Sequence, residues 1–254
     1  MTKRAPRVRI DQLLVDRGLA ESRTKAQAII MAGAVSSDGR RIDKVGTTVE
    51  ADADVVVSGR GSRFVSRGGD KLDPALTEFA RAGLEVTAMI AVDVGASTGG
   101  FTDCLLQRGA TKVYAVDVGY GQLAASLRAD ARVVVRERTN ARDLTAADFA
   151  EPVDLVVVDA SFIGLGKLLP AIARIVRPGG ALVALVKPQF EAGKEAVSRG
   201  RGVIRDPEVR DRAIADVRGE VTEAGFAIRG EVDSTVAGPK GNVERFVYAI
   251  RDAK

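Results

Sequence analysis

The 254-residue chain has no histidine, no tryptophan and a single cysteine, Cys104. Without histidine, and with one thiol, the usual zinc ligand sets cannot be assembled, so no metal is expected and no internal disulfide can form. Aromatic side chains are scarce, with three tyrosines and eight phenylalanines. Little is therefore available for base stacking, and any nucleic acid would be selected mainly by shape and phosphate contacts. No apolar stretch approaches the roughly 20 residues that span a bilayer, and Met1 to Arg9 is basic with no apolar segment behind it. Neither membrane insertion nor a secretory leader is expected, which points to the cytoplasm. Two phosphate-binding signatures are also missing: no G-x-G-x-x-G for a dinucleotide, and no Gly-Lys-Ser/Thr to close a P-loop.

What is present reads as an ordinary globular chain, 46% hydrophobic and 28% charged. Its length suits one large and one small domain, with a monomer favoured. The net charge is only +4, but residues 1–44 carry ten Lys/Arg against five Asp/Glu, and the rest 28 against 29. A surplus gathered at one end suggests a polyanionic partner, most often nucleic acid.

The most informative stretch is DVGASTGGFTDCLL, Asp93 to Leu106, which follows the apolar run Ala88 to Val92 and leads into a helical pattern. A buried strand, a glycine turn and a helix present a strand end and a helix N-terminus to a ligand. Twenty-four residues after Asp93, the run Val113 to Val116 ends in Asp117, where an acidic side chain can accept both hydroxyls of a ribose. A glycine turn and a ribose acid without a pyrophosphate motif fit an adenosine that lacks phosphates, of which S-adenosylmethionine is the common one. The candidate cofactor residues are Asp93, Gly95, Ala96, Ser97, Thr98, Gly99, Gly100 and Phe101 in the turn and helix start, then Asp117, Val118 and Tyr120.

In chain order, Met1 to Arg7 reads as a disordered basic arm. Ile10, Leu13, Leu14 and Leu19 recur at helical spacing, with Asp11 as a first-turn acid and Gly18 as the stop. Ser22 is placed to cap a second helix, Arg23 to Ala32. Val35, the Asp38-Gly39 turn, Ile42, Val45, Val49 and Val55 to Val57 predict short strands. Ser58 to Gly69 is rich in glycine and arginine and marks a junction, within which Phe64-Val65 could form a short strand. Leu72, Leu76 and Phe79 define an amphipathic helix with Lys71 on its first turn. Strands are then expected at Met89–Val94, Lys112–Val116, Arg132–Val135, Val153–Val158, Ala181–Val186, Phe226–Val232 and Val243–Ile250, alternating with helices. Such alternation predicts a mostly parallel α/β sheet covered on both faces.

Residues beyond the carboxyl ends of such strands are candidates for chemistry. Asp159 ends Leu155-Val156-Val157-Val158, Lys187 ends Leu182-Val183-Ala184-Leu185-Val186, and Glu244 opens the last strand. Methylation of an exocyclic amine would favour a proline-rich loop after the fourth strand, and Asp159-Ala160-Ser161-Phe162 has none. Methylation of a pyrimidine carbon would need a cysteine nucleophile, and Cys104 lies on the helix after the glycine turn. Hydroxyl methylation remains. A ribose 2′-hydroxyl is a weak acid, so transfer benefits from a group that removes or polarises its proton.

Three resemblances sharpen these readings. Arg9-Ile10-Asp11, Leu13-Leu14, Gly18-Leu19, Ser22-Arg23, Ala26, Ile29, Gly33, Val35 and Asp38-Gly39 resemble the small RNA-binding domain of the ribosomal protein S-four type. That likeness implies RNA contacts at Arg9, Arg23 and Lys25, with Arg40 and Arg41 near the rim. Lys71, Asp159, Lys187 and Glu244 resemble the Lys-Asp-Lys-Glu tetrad of FtsJ-type ribose 2′-O-methyltransferases, which implies a class I sheet of seven strands with the last antiparallel. The N-terminal module joined to Ser66-Arg67-Gly68-Gly69-Asp70-Lys71-Leu72, the glycine turn, Asp117-Val-Gly-Tyr-Gly-Gln-Leu, Val186-Lys187-Pro-Gln-Phe-Glu and Gly241-Asn-Val-Glu244 is similar to the TlyA family, also called haemolysin A. Its members are described as methylating cytidine 2′-hydroxyls in ribosomal RNA of the small or large subunit. By that likeness Asn140 holds the adenine, where relatives often have aspartate, and Phe64 stands where some carry tryptophan.

The implied organisation is an RNA-binding domain over 1–57, a linker over 58–69 and a methyltransferase domain over 70–254. Arg67, together with Arg199, Arg201 and Arg205 in a loop from Glu191 to Pro207, would add RNA contacts. Two rival readings are a membrane-active cytolysin, which the composition does not favour, and an RNA-binding assembly factor without turnover.

Overall fold

The computed structural model describes residues 6–31, 33–38, 40–57, 63–161, 163–192, 203–238 and 241–253. Contacts along the chain divide it into two compact units, Met1–Ser62 and Arg63–Lys254.

The first unit runs β1 (Arg7–Arg9), α1 (Ile10–Asp16), α2 (Arg23–Met31), β2 (Val35–Ser37), β3 (Arg40–Ile42), β4 (Thr48–Glu50) and β5 (Val55–Val57). Ile10, Leu13 and Leu14 of α1 close with Ala26 and Ile30 of α2 over Val35, Ile42 and Val49 in one small apolar core. Ser22 caps α2 as its sequence position suggests, Oγ accepting a hydrogen bond from Lys25 N at 3.2 Å. The strands form two antiparallel sheets, β1 with β4 and β3-β2-β5. One expectation needs correction. Pro6 and Arg7, read as part of a disordered arm, are held in place, because Arg7 pairs with Glu50 across β1 and β4 and Ala51 N donates to Pro6 O at 2.8 Å; residues 1–5 lie outside the described residues. Backbone pairing at a sheet edge is indifferent to the basic side chains that suggested disorder. Ala32 and Gly39, the second residue of the expected turn, lie outside the described residues.

The second unit opens with α3 (Arg67–Ala80) and continues β6 (Ile90–Val94), α4 (Gly100–Gln107), β7 (Lys112–Val116), α5 (Ala125–Arg128), β8 (Val133–Arg136), β9 (Val153–Val158), α6 (Leu169–Ile175), β10 (Val176–Val186), α7 (Pro188–Glu191), α8 (Pro207–Glu223), β11 (Phe226–Asp233) and β12 (Arg245–Arg251). Seven strands stand in the order β11-β12-β10-β9-β6-β7-β8. β6 to β10 are parallel, and β12 runs antiparallel to both β10 and β11. This is the sheet expected of a class I methyltransferase.

Strand alternation feeds two cores. Leu155 and Val157 pack toward α3 and α4 with Leu72, Leu76, Phe79, Phe101 and Leu105. Val156 and Val158 face the other way, toward α6 and α8, with Leu169, Ile172, Ile214 and Val217. Both faces are covered, which is why these strands read as unbroken apolar runs. Two boundaries differ from expectation. β10 begins at Val176 rather than Ala181, its first residue pairing with Val153 before a register shift over the Arg-Pro-Gly-Gly segment. α3 begins at Arg67, inside the stretch read as a junction, where Ser66 Oγ accepts from Gly68 N at 3.4 Å. Phe64 forms no strand; it is buried in the second unit's core.

Candidate active site

Parallel strands leave their carboxyl ends on one edge, and the candidate residues collect there. β6 runs into a turn in which Gly95, Ser97 and Gly99 have φ of 88°, 47° and 102°, after which Gly100 starts α4. Gly99 needs its left-handed backbone, which a side chain would strain. Below this turn Asp93 is fully buried. Its Oδ2 accepts from Thr102 N at 2.9 Å and from Thr102 Oγ1 at 2.7 Å, tying β6 to the first turn of α4. Burial, opposed by the Thr102 hydroxyl and reinforced by Asp159 and Asp117, pushes the Asp93 carboxyl up to about 7.

At the end of β7, Asp117 Oδ2 accepts from Ser97 N at 2.8 Å and Oδ1 from Gly119 N at 2.7 Å. Backbone donors thus orient the carboxylate, and each oxygen keeps a second lone pair for a ligand. A cleft of about 360 Å³ opens at this edge. Gly95, Ser97, Asp117, Val118, Asn140 and Asp159 from the predicted set line it, together with apolar Val94, Val116, Ile163 and Leu168. A Cβ on Gly95 would stand 2.8 Å from Asp159 O, so only glycine lets the β6 turn pass the β9 end this closely. An acid oriented by backbone donors, amide and hydroxyl side chains and apolar walls suit a nucleoside, and the lining holds no basic group for phosphates.

Lys71, Asp159, Lys187 and Glu244 form two ion pairs at the same edge. Lys187 Nζ lies 2.5 Å from Asp159 Oδ1 and donates to Ser161 Oγ at 2.9 Å. Lys71 Nζ donates to Glu244 Oε2 at 2.6 Å, across 173 residues of chain. The register of β10 and β12 pairs Val186 with Arg245, so one further step sets Lys187 beside Glu244. Gln189, two residues past Lys187, donates from Nε2 to Glu244 Oε1 at 3.4 Å. The pairs differ in exposure. Side-chain exposures are 9% and 0% for Lys71 and Glu244, against 8% and 21% for Lys187 and Asp159. The first pair is sealed, while the second opens onto the cleft through Asp159.

In the first unit, fully buried Asp11 accepts from Arg9 Nε and Nη2 at 3.0 and 2.9 Å, from Arg23 Nε at 3.0 Å and from Gln27 Nε2 at 3.1 Å. The Arg9 hydrogen bond, with Gln27 and Arg23 behind it, holds the Asp11 carboxyl well below the usual carboxylate range. Both guanidinium side chains remain about half exposed, at 47% and 52%. A depressed acid contributes stability that is present above its ordinary pKa and lost as pH falls below it. Asp11→Asn is therefore expected to raise amide exchange across residues 6–57 at pH 7 and to flatten the acid loss of protection there below about pH 4; exchange mass spectrometry of the full chain checks it.

With this geometry in place, comparison with known proteins is decisive. Residues 64–251 match the model of the FtsJ-like methyltransferase family, and residues 8–55 match the S4 domain. The chain belongs to the FtsJ-like methyltransferase family. Among its relatives, TlyA of Mycobacterium tuberculosis, named a 16S/23S rRNA (cytidine-2′-O)-methyltransferase, is 49% identical over 96% of this chain and 90% of its own length. Hemolysin A of Brachyspira hyodysenteriae is 40% identical over 96% of this chain and 100% of its own. A solved structure of a protein designated a hemolysin, from Streptococcus thermophilus, superposes with a TM-score of 0.76 at 41% identity, covering 97% of this chain and 89% of that one.

In this FtsJ-like methyltransferase the predicted residues separate into groups. Asp93, Ala96, Thr98, Gly99, Gly100 and Phe101 lie outside the cleft lining; Phe101 packs on Phe246 with ring centroids 6.0 Å apart, committed to the core. Tyr120 also lies off the cleft, exposed, with the Arg138 guanidinium 4.2 Å over its ring. Lys25, Arg40, Arg41 and Arg205 are exposed and Arg67 is half-buried, while Arg199 and Arg201 lie outside the described residues. Gln122, Thr139 and Ser161 line the cleft without having been singled out from sequence; only the nearness of Ser161 to Asp159 and of Thr139 to Asn140 hinted at them. Cys104 is buried, and burial pushes its thiol up to about 12, which removes it as a nucleophile. Among the described residues no helix is long and apolar enough to cross a membrane.

Proposed function

We propose that the chain transfers a methyl group from S-adenosylmethionine to the 2′-hydroxyl of a cytidine in ribosomal RNA, in the cytoplasm. Residues 1–57 would dock the RNA, and the unit that begins at Arg63 would carry the reaction. One observation bears most of the weight: the groups that hold Lys187, Asp159 and Ser161, are also walls of the cleft that contains Asp117. The base and the cofactor cradle are therefore adjacent. The naming of TlyA as a cytidine-2′-O-methyltransferase and the matched S4 domain support the substrate.

Asp117 would accept the ribose hydroxyls of the cofactor, Val118 and Asn140 would border its adenine, and Gly95, Ser97 and Asp159 would leave room for the remainder. When bound, S-adenosylmethionine supplies a methyl group on a cationic sulfur that departs as a neutral thioether. Lys187, in its neutral form, takes the proton of the 2′-hydroxyl as the hydroxyl oxygen gains the methyl group. Asp159 stands ready to pair the ammonium so formed. Glu244 neutralises Lys71 in a sealed pair, which keeps a second cation from opposing that protonation. Arg9, Arg23, Lys25, Arg40, Arg41, Arg67 and Arg205 would contact RNA phosphates, giving binding that weakens with salt.

The direct test is incubation with methyl-labelled cofactor and, separately, small ribosomal subunits, large subunits and transfer RNA, followed by mapping of the label. Label on a cytidine 2′-oxygen of ribosomal RNA is expected; label only on a base or only in transfer RNA overturns the reading. Asp117→Ala should weaken cofactor binding roughly 10- to 100-fold, since hydrogen bonds to a charged group contribute about 1.5–3 kcal/mol. Calorimetric titration checks this, and unchanged affinity would remove Asp117 from the ribose.

A further inference from the structure

We infer that Ser161 is a positioning residue for methyl transfer, holding the Lys187 amine so that its lone pair faces the attacking hydroxyl. The inference rests on the reading above, in which Lys187 is the base. A neutral lysine amine carries two N–H bonds and one lone pair in roughly tetrahedral directions, and the Cε–Nζ bond turns freely until one N–H is directed at a fixed acceptor. Such an anchor sets the torsion and leaves two directions for the second N–H and the lone pair.

The structure directs one N–H: Ser161 Oγ accepts a hydrogen bond from Nζ at 2.9 Å. Asp159 Oδ1 lies 2.5 Å from Nζ as a charge contact without hydrogen-bond geometry, and a carboxylate repels a lone pair on its own side. The lone pair therefore takes the remaining tetrahedral direction, toward the substrate proton. The Phe190 ring, with its centroid 5.9 Å from Nζ, is too distant to take an N–H in place of the hydroxyl. Both residues lie on the segment that leaves β9 and lines the cleft, so the direction of the lone pair is referred to the same wall that borders the cofactor. The chain invests a neutral hydroxyl here rather than a second carboxylate. A hydroxyl orients the amine without adding charge that would hold it as ammonium.

The test is steady-state kinetics of Ser161→Ala and Ser161→Thr in the full chain with ribosomal subunits as substrate, beside calorimetric titration of the cofactor. Misalignment of a reacting group by about an ångström costs on the order of 100-fold, so Ser161→Ala is expected to lower kcat roughly 10- to 100-fold. The RNA KM and the cofactor Kd should each stay within about threefold, since only the direction of an amine has changed. Ser161→Thr, which restores the hydroxyl, should return kcat to within about threefold of the parent. Unchanged kcat in Ser161→Ala overturns the inference, and so does a loss that appears in cofactor Kd, which would make Ser161 a cofactor contact instead. Failure of Thr to rescue also overturns it. These outcomes leave the assignment of Lys187 untouched, whereas an active Lys187→Ala would remove that assignment and this inference together.

Discussion

Lys187→Ala is expected to reduce methyl transfer about 1000-fold, within the range that a positioned general base contributes. Cofactor affinity should stay within about threefold, because Lys187 does not line the cleft. The companion substitution separates two roles for the same amine. Lys187→Arg preserves the positive charge and a partner for Asp159, but a guanidinium is not deprotonated in proteins. If Lys187 acts as the base, the arginine variant is as inactive as the alanine variant. Were the residue needed only as a cation to steady Asp159 or attract RNA, arginine would retain much of the rate. Both variants are expected to fold, since Asp159 is 21% exposed and water can solvate it once its partner is gone. Single-turnover rates with saturating cofactor, together with thermal midpoints of all three proteins, decide the matter; substantial activity in either variant would end the assignment of Lys187 as base.

The central strands of the second unit were legible because they are covered on both faces and so carry apolar runs, as residues 155–158 and 113–116 illustrate. Asp117, Asp159 and Lys187 could be singled out because each follows directly on such a run. What sequence concealed is mostly three-dimensional. Gly68 and Gly69 read as part of a junction, yet they lie in α3, and at Gly69 there is no room for a side chain. A Cβ on Gly69 would fall 2.2 Å from Phe64 Cγ, and one on Gly100 would fall 2.3 Å from Ser66 Oγ and 2.8 Å from Gly69 N. Those glycines let α3 and α4 approach closely, and composition does not distinguish that use from flexibility. Nor does spacing tell which lysine of the tetrad takes which acid. The partnership of Lys71 with Glu244 depends on α3 and the start of β12 meeting across the sheet edge. The grip of Asp11 on Arg9 and Arg23 was hidden for a similar reason: a first-turn acid reads as a helix-dipole partner, and only the packing of α1 on α2 brings Arg23 within reach.

Asp93→Asn is expected to change the pH dependence of stability more than any other single substitution in the second unit. The Asp93 carboxyl is raised from 3.8 to about 7, chiefly by burial. An acid raised on folding binds its proton more tightly in the folded chain than in the unfolded one. Its contribution is therefore fully present below the ordinary pKa, and it is lost as pH rises through about 7. A shift of this size corresponds to up to about 4 kcal/mol across that window, at 1.36 kcal/mol per unit. Asparagine occupies the same volume and its carbonyl can accept both Thr102 bonds, but it has no charge to bury. The two proteins should accordingly be close in stability near pH 4, and the variant should become progressively more stable than the parent between pH 5 and 8. Titrations shared by both proteins cancel in the difference, so urea midpoints measured at several pH values isolate Asp93. Parallel curves would mean that the carboxyl ionises freely beneath the glycine turn, and that burial there is relieved by solvent reaching Oδ1, the oxygen that has no hydrogen-bond partner among the described residues.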